Sequence, residues 1–162
     1  MTANSNEVNY SELEASLRSL ISDSPAAVSA LSNAAALLFE RLPDVSWVGF
    51  YVERDGELIL GPFQGKTACI VIPRGRGVCQ AALKADKTVV VDDVASFPGH
   101  IACDAGSRSE IVAPVRCGGK AVAVLDIDSY TPARFDGEDA AGLEKLVRII
   151  ENEVGDGISR II

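Results

Sequence analysis

At 162 residues the chain is sized for one domain with a core of its own, without disulfide or metal staples. Fifteen basic against 23 acidic side chains give a net charge of −8, which opposes a polyanionic partner, so no nucleic-acid role is expected. No apolar run is long enough to span a bilayer, and the first seven residues lack the basic start and apolar stretch of a secretory leader, which makes the cytoplasm the expected location, with no membrane partner.

Residues 10–22 read as an amphipathic helix with Leu13, Leu17, Leu20 and Ile21 on one stripe and Ser11 with Glu14 as a capping box. Asp23-Ser24-Pro25 breaks the chain, and Pro25 suits the first position of a second, Ala-rich helix that buries Leu31, Ala34, Leu37 and Leu38 and runs to about Glu40. Residues 46–53 alternate as a strand, and Arg54-Asp55-Gly56-Glu57 is a hairpin turn leading into Leu58-Ile59-Leu60. Residues 68–73 form another strand candidate. Gly75-Arg76-Gly77 lacks the pattern of a phosphate loop or dinucleotide fingerprint and reads as the entry to a short helix over residues 78–84. Residues 88–91 are a strand, and residues 92–107 are a long stretch without periodicity. Strands at 110–115 and 120–128 flank a second hairpin turn, Arg116-Cys117-Gly118-Gly119, and Asp136 caps a last helix with Leu143, Leu146, Val147, Ile150 and Val154 inward. The order predicts one α+β domain over residues 1–162, with residues 1–9 a flexible lead. Its mostly antiparallel central sheet carries the N- and C-terminal helices on one face and a ligand pocket on the other, beneath the long loop.

Three constellations bear chemistry. Period two places Asp126 and Asp128 on one face of a strand, with Glu110 able to join them across the ladder. Such a group raises at least one carboxyl pKa or needs a cation. Trp47, Gly49 and Tyr51 share one strand face and can wall a small apolar pocket, with the glycine leaving room, while Val48, Phe50 and Val52 face the core. The third is the cysteines, which in a reducing compartment are not expected to staple the fold. Cys103, in the polar loop after Pro98-Gly99-His100, is the candidate redox nucleophile, with His100 able to lower its pKa. Cys69, in a strand, or Cys79, at a helix start where the dipole favours a thiolate, is its partner in a disulfide. Cys117 lies in a turn. His100, Cys103, Cys79 and Cys69 lack the paired spacing of a zinc centre, so no metal is expected.

These segments follow in order through the chain. Trp47-Val48-Gly49-Phe50-Tyr51, Gly61 to Cys69, Gly75-Arg76-Gly77-Val78-Cys79, Phe97 to Asp104, Ser107 to Val112 and Val124 to Ser129 together resemble the free methionine-(R)-sulfoxide reductases, single GAF-domain enzymes. The resemblance, over about residues 10–150, implies a GAF fold and thiol-dependent reduction of free methionine-R-sulfoxide. It implies Cys103 as the catalytic thiol, Cys69 as the usual resolving thiol and Cys79 as a third cysteine in disulfide exchange. Glu110, Asp126 and Asp128 would hold the substrate ammonium and help protonate the sulfoxide oxygen, and Trp47 and Tyr51 would surround the sulfur and its methyl group. It further implies no cofactor, an external thioredoxin-type dithiol as reductant, and a homodimer. The alternatives are a non-catalytic GAF sensor of a small molecule and a thiol redox switch acting on a partner protein.

Overall fold

The computed structural model describes residues 7–162, so most of the expected flexible lead over residues 1–9 lies outside the described residues. The first helix, α1 (Tyr10–Ile21), starts at Asn9, whose side chain accepts from the Glu12 amide at 3.1 Å. The Ser11–Glu14 box expected from the sequence does not form. Tyr10 is drawn into the helix by a 2.6 Å hydrogen bond to Asp139 and by the space left at Gly142, so the cap falls two residues earlier, on Asn9. The second helix, α2 (Ala27–Arg41), has Ala26 at its cap and no side-chain cap bond. Pro25 therefore precedes the cap instead of opening the helix, in a turn held by Ser24 Oγ donating to the Ala26 carbonyl.

Six strands follow, interrupted by one helix: β1 (Trp47–Arg54), β2 (Glu57–Gly65), β3 (Val71–Ile72), α3 (Gly77–Ala85), β4 (Val89–Val91), β5 (Ser109–Cys117) and β6 (Lys120–Ser129). They form one sheet in the order β3-β2-β1-β6-β5-β4, with every neighbouring pair antiparallel. Both tight hairpins put two residues in the left-handed region, Asp55 with Gly56 and Gly118 with Gly119, the turn whose twist matches paired strands. The strand β2 outruns the expected Leu58–Leu60. A register shift opposite Phe50 takes Gly61 and Pro62 out of the ladder, which is where proline is tolerated inside a sheet. In contrast, the strand expected over residues 68–73 shrinks to Val71 and Ile72, paired with Ile59 and Leu58, which leaves Cys69 in a loop.

Alternation then sorts the sheet into two faces. Val48, Phe50, Val52, Ile111, Ala113, Val115, Ala123, Leu125 and Ile127 form the main core with α1, α2 and the last helix, α4 (Gly137–Ile158). Asp136 caps α4 in a reciprocal box with Asp139, which also accepts from Arg134 at 3.1 Å. On the opposite face Trp47, Tyr51, Leu58, Val112 and Val124 meet Val78, Cys79 and Ala82 of α3 and Val94 of the irregular segment, with Phe97 and Ile101 beside them. That segment has one 3₁₀ turn, Val94–Ser96, and otherwise runs without regular structure to Arg108. Among the described residues no helix is long and apolar enough to cross a membrane.

Candidate functional site

The site is laid out by strand register on the face away from the three long helices. In one row across β1, β6 and β5, Trp47 lies opposite Asp128 and Asp128 opposite Glu110. In the next row of that face, Gly49 lies opposite Asp126 and Asp126 opposite Val112. The three carboxylates thus form a triangle at one end of the sheet, as the spacing of Asp126 and Asp128 implied. Gly49 is required there: a methyl group at its Cα would enter the Trp47 ring and strike the Phe63 side chain. Trp47 can therefore lie flat along the strand, stacked at 5.4 Å on Phe63 and 5.9 Å on Tyr51.

Burial decides the charge of the triangle. Glu110 is 5% exposed and Asp126 6% exposed, and the buried Asp126 Oδ1 has no hydrogen-bond partner. Burial pushes Asp126 up to about 6, even though the neighbouring Glu110 and Cys79 protons pull the other way. It pushes Glu110 and Asp128 well above the ordinary carboxylate range, with the charge of Asp126 adding to both. The triangle consequently holds protons near neutral pH, and a bound cation would draw off part of them.

Cys79 stands against this triangle. Its thiol donates to Glu110 Oε1 at 3.8 Å, and it is 3% exposed in the first turn of α3. The helix start had suggested a stabilised thiolate. Burial and the neighbouring Asp126 and Glu110 charges push the thiol well above its ordinary pKa, so they outweigh the dipole of a nine-residue helix.

Cys69 and Cys103, 34 positions apart in sequence, are joined as a disulfide with Cα atoms 5.4 Å apart. Cys79 and Cys117 are free thiols. The two cysteine loops are fastened by contacts that the sequence did not suggest. Tyr51 Oη donates to the Cys69 carbonyl at 2.9 Å, and Trp47 Nε1 donates to the Lys66 carbonyl at 3.1 Å. Burial, and then the charge of Asp126, keeps the Tyr51 phenol protonated. On the other side Tyr130 Oη donates to Asp104 at 2.7 Å while the Lys66 ammonium lies over its ring, bracketing the loops of Cys69 and Cys103. No sequence period links residues 18 to 26 positions apart, so these partners had no signal in the chain alone.

All eight site residues singled out from the sequence, Trp47, Tyr51, Cys69, Cys79, Cys103, Glu110, Asp126 and Asp128, come together, and all but Cys69 line one cavity. Cys69 reaches the cavity through its bond to Cys103 and its neighbour Ala68, which lines the wall. His100 also lines it, but partial burial lowers its pKa, so it brings no cation to Cys103 at neutral pH. Cys117 is remote, with its thiol 3.3 Å from Asp156 on α4. The arrangement is a disulfide-bonded cysteine pair beside a pocket with aromatic walls and an acidic floor.

A sheet with this strand order, flanked by terminal helices and carrying its pocket on the other face, is a GAF domain, and the GAF domain family model matches residues 27–154. Within that fold the chain is 46% identical over 142 residues to the free methionine-R-sulfoxide reductase of Escherichia coli, covering 88% of this chain and 86% of the relative. It superposes on fRMsr of Staphylococcus aureus in complex with substrate with a TM-score of 0.88 at 48% identity, covering 92% and 97% of the two chains. The free methionine-R-sulfoxide reductase of Neisseria meningitidis, also solved with its substrate, gives 0.87 at 44% identity, covering 94% and 90%. The chain belongs to the free methionine-R-sulfoxide reductase family, oxidoreductases of the GAF fold.

Proposed function

We propose that the protein reduces free methionine-R-sulfoxide to methionine, with Cys103 as nucleophile and Cys69 as resolving thiol. The observation that supports this most directly is the Cys69–Cys103 disulfide set against the pocket of Trp47, Tyr51, Glu110, Asp126 and Asp128. The substrate ammonium would enter the acidic triangle beside Asp126 and supply the charge that this buried carboxylate needs when ionised, while Glu110 and Asp128, pushed well above the ordinary range, retain a proton to give. A peptide-bound residue has no ammonium to offer. The methyl group and sulfur would lie against the Trp47–Tyr51 stack, which turns the sulfoxide toward the loop of Cys103.

Chemistry then follows from the two ends of the site. The Cys103 thiolate attacks the sulfoxide sulfur while Glu110 or Asp128 delivers a proton to the oxygen, which is otherwise a poor leaving group. Methionine leaves, the sulfur of the substrate gains two electrons, and Cys103 becomes a sulfenic acid. Cys69 attacks that sulfenic acid and expels water, giving the disulfide seen here. An external dithiol of the thioredoxin type restores both thiols. Cys103 is exposed and Cys69 partly so, which suits attack by a protein reductant.

The test uses substitutions in the reduced protein. Cys103→Ser should abolish sulfoxide reduction, and Cys69→Ser should release about one methionine per chain and stop as a sulfenic acid that a carbon nucleophile traps. Undiminished turnover by Cys103→Ser would overturn the assignment. A thiol switch would need the cysteines alone, so it predicts full thiol oxidation kinetics in Asp128→Asn, whereas an enzyme of this design loses its substrate dependence.

A further inference from the structure

We propose that Cys79, Glu110 and Asp126 form a binding site for a divalent cation of the zinc class, which occupies the pocket floor in place of the substrate ammonium. Cys79 is a free thiol outside the Cys69–Cys103 disulfide and is 3% exposed, yet its sulfur faces carboxylates instead of apolar side chains. One donor atom from each of the three residues lies within 4.8 Å of the other two. The Cys79 Sγ to Glu110 Oε1 separation of 3.8 Å is close to the ligand edge of about 3.5 Å that follows from tetrahedral zinc with its usual bonds to sulfur and oxygen.

A second observation points to a ligand independently. Asp126 Oδ1 is buried, lacks any hydrogen-bond donor, and belongs to a side chain that lines the cavity. A cation reaching it satisfies a group that is otherwise costly to bury. The mixed donor set favours zinc, cadmium or cobalt over magnesium and calcium, which prefer all-oxygen shells of higher coordination number. Binding displaces the Cys79 thiol proton to solvent and involves no change in oxidation state. The set is not the Cys69, Cys79, His100 and Cys103 combination that sequence spacing disfavours, two of whose sulfurs are joined here. Cys79 and the carboxylates stand outside the disulfide, so none of the three donors is consumed when Cys69 and Cys103 are joined.

Competition with substrate rests on the function proposed above, while metal binding itself does not. The experiment uses the full chain carrying Cys69→Ser, Cys103→Ser and Cys117→Ser, so that Cys79 is the sole remaining thiol of four. Cobalt(II), a spectroscopic substitute for zinc, is titrated while the near-ultraviolet thiolate-to-metal band is followed, and folding is checked by circular dichroism. One equivalent should generate the band, zinc should remove it, and free methionine should weaken cobalt binding. Asp126→Asn, a near-isosteric change, should weaken binding by about tenfold or more, and Cys79→Ser should abolish the band. Absence of the band, or a band of unchanged affinity in Asp126→Asn, overturns the proposal. Cobalt binding without sulfoxide reduction by the wild-type chain would sink the function and leave the metal site standing. Sulfoxide reduction indifferent to zinc, with no band, would do the reverse.

Discussion

Replacing Asp126 by Asn should make the protein more stable at alkaline pH and less active. The native carboxyl is pushed from an ordinary value of 3.8 up to about 6 by burial, and its Oδ1 lacks a donor. The sign follows from proton binding: between those two values the folded chain keeps the proton that the unfolded chain has released. The contribution of Asp126 to wild-type stability therefore falls as pH rises through the window from about 4 to about 6 and levels off above it. The gap corresponds to a cost on the order of 3 kcal/mol for holding Asp126 ionised. Asn resembles the protonated acid in shape and charge, so it escapes the cost above the window and gains nothing below it. Urea unfolding followed at about pH 4 and about pH 8 should show equal midpoints at the acid end. At the alkaline end the variant should unfold later by about 1–2 M urea, given a slope of about 2 kcal/mol/M. An offset of the same size at both pH values, or a variant less stable at about pH 8, would refute the reasoning. The same substitution removes one partner of the proposed ammonium site, so stability and activity should move in opposite directions.

Two other substitutions probe the walls of the pocket. Gly49→Ala drives a methyl group into the Trp47 ring, which should cost about 1–3 kcal/mol by overpacking and shift the emission of the chain's single tryptophan, with KM raised more than kcat is lowered. Tyr51→Phe keeps the ring but removes the hydrogen bond to the Cys69 carbonyl. Stability should drop by about 1 kcal/mol, and disulfide formation after a single turnover should slow while the first release of methionine is less affected, as rapid-quench sampling would show.

The sheet face of the site was legible because strand alternation is strict. Asp126 and Asp128 had to share a side, and Glu110 falls directly opposite Asp128 as a ladder partner. The helix-facing core, from Val48 and Phe50 to Leu125 and Ile127, followed from the same rule. What alternation cannot convey is long-range pairing. The union of Cys69 with Cys103 spans 34 residues of loop and strand and came from family resemblance alone, since the residues by themselves left Cys79 equally eligible. The ties from Tyr51 to Cys69, Trp47 to Lys66 and Tyr130 to Asp104 are likewise side-chain contacts between loops that only the folded sheet brings together. Cys79 shows the opposite error. Its place in the first turn of a helix suggested a reactive thiolate, but burial, and after it the three carboxylates of β5 and β6, reverse that local preference. Ser11 and Pro25 were each misplaced by two residues because Tyr10 and Ser24 have tertiary and turn partners that shift where the helices begin.

Reduction of the free R epimer is tested most directly by incubating the wild-type chain with racemic free methionine sulfoxide and a thioredoxin system, then separating the epimers that remain. The R epimer should disappear as methionine accumulates while the S epimer persists, and the same sulfoxide within a peptide should be left intact. Survival of both epimers, or equal consumption of both, would contradict the proposed function.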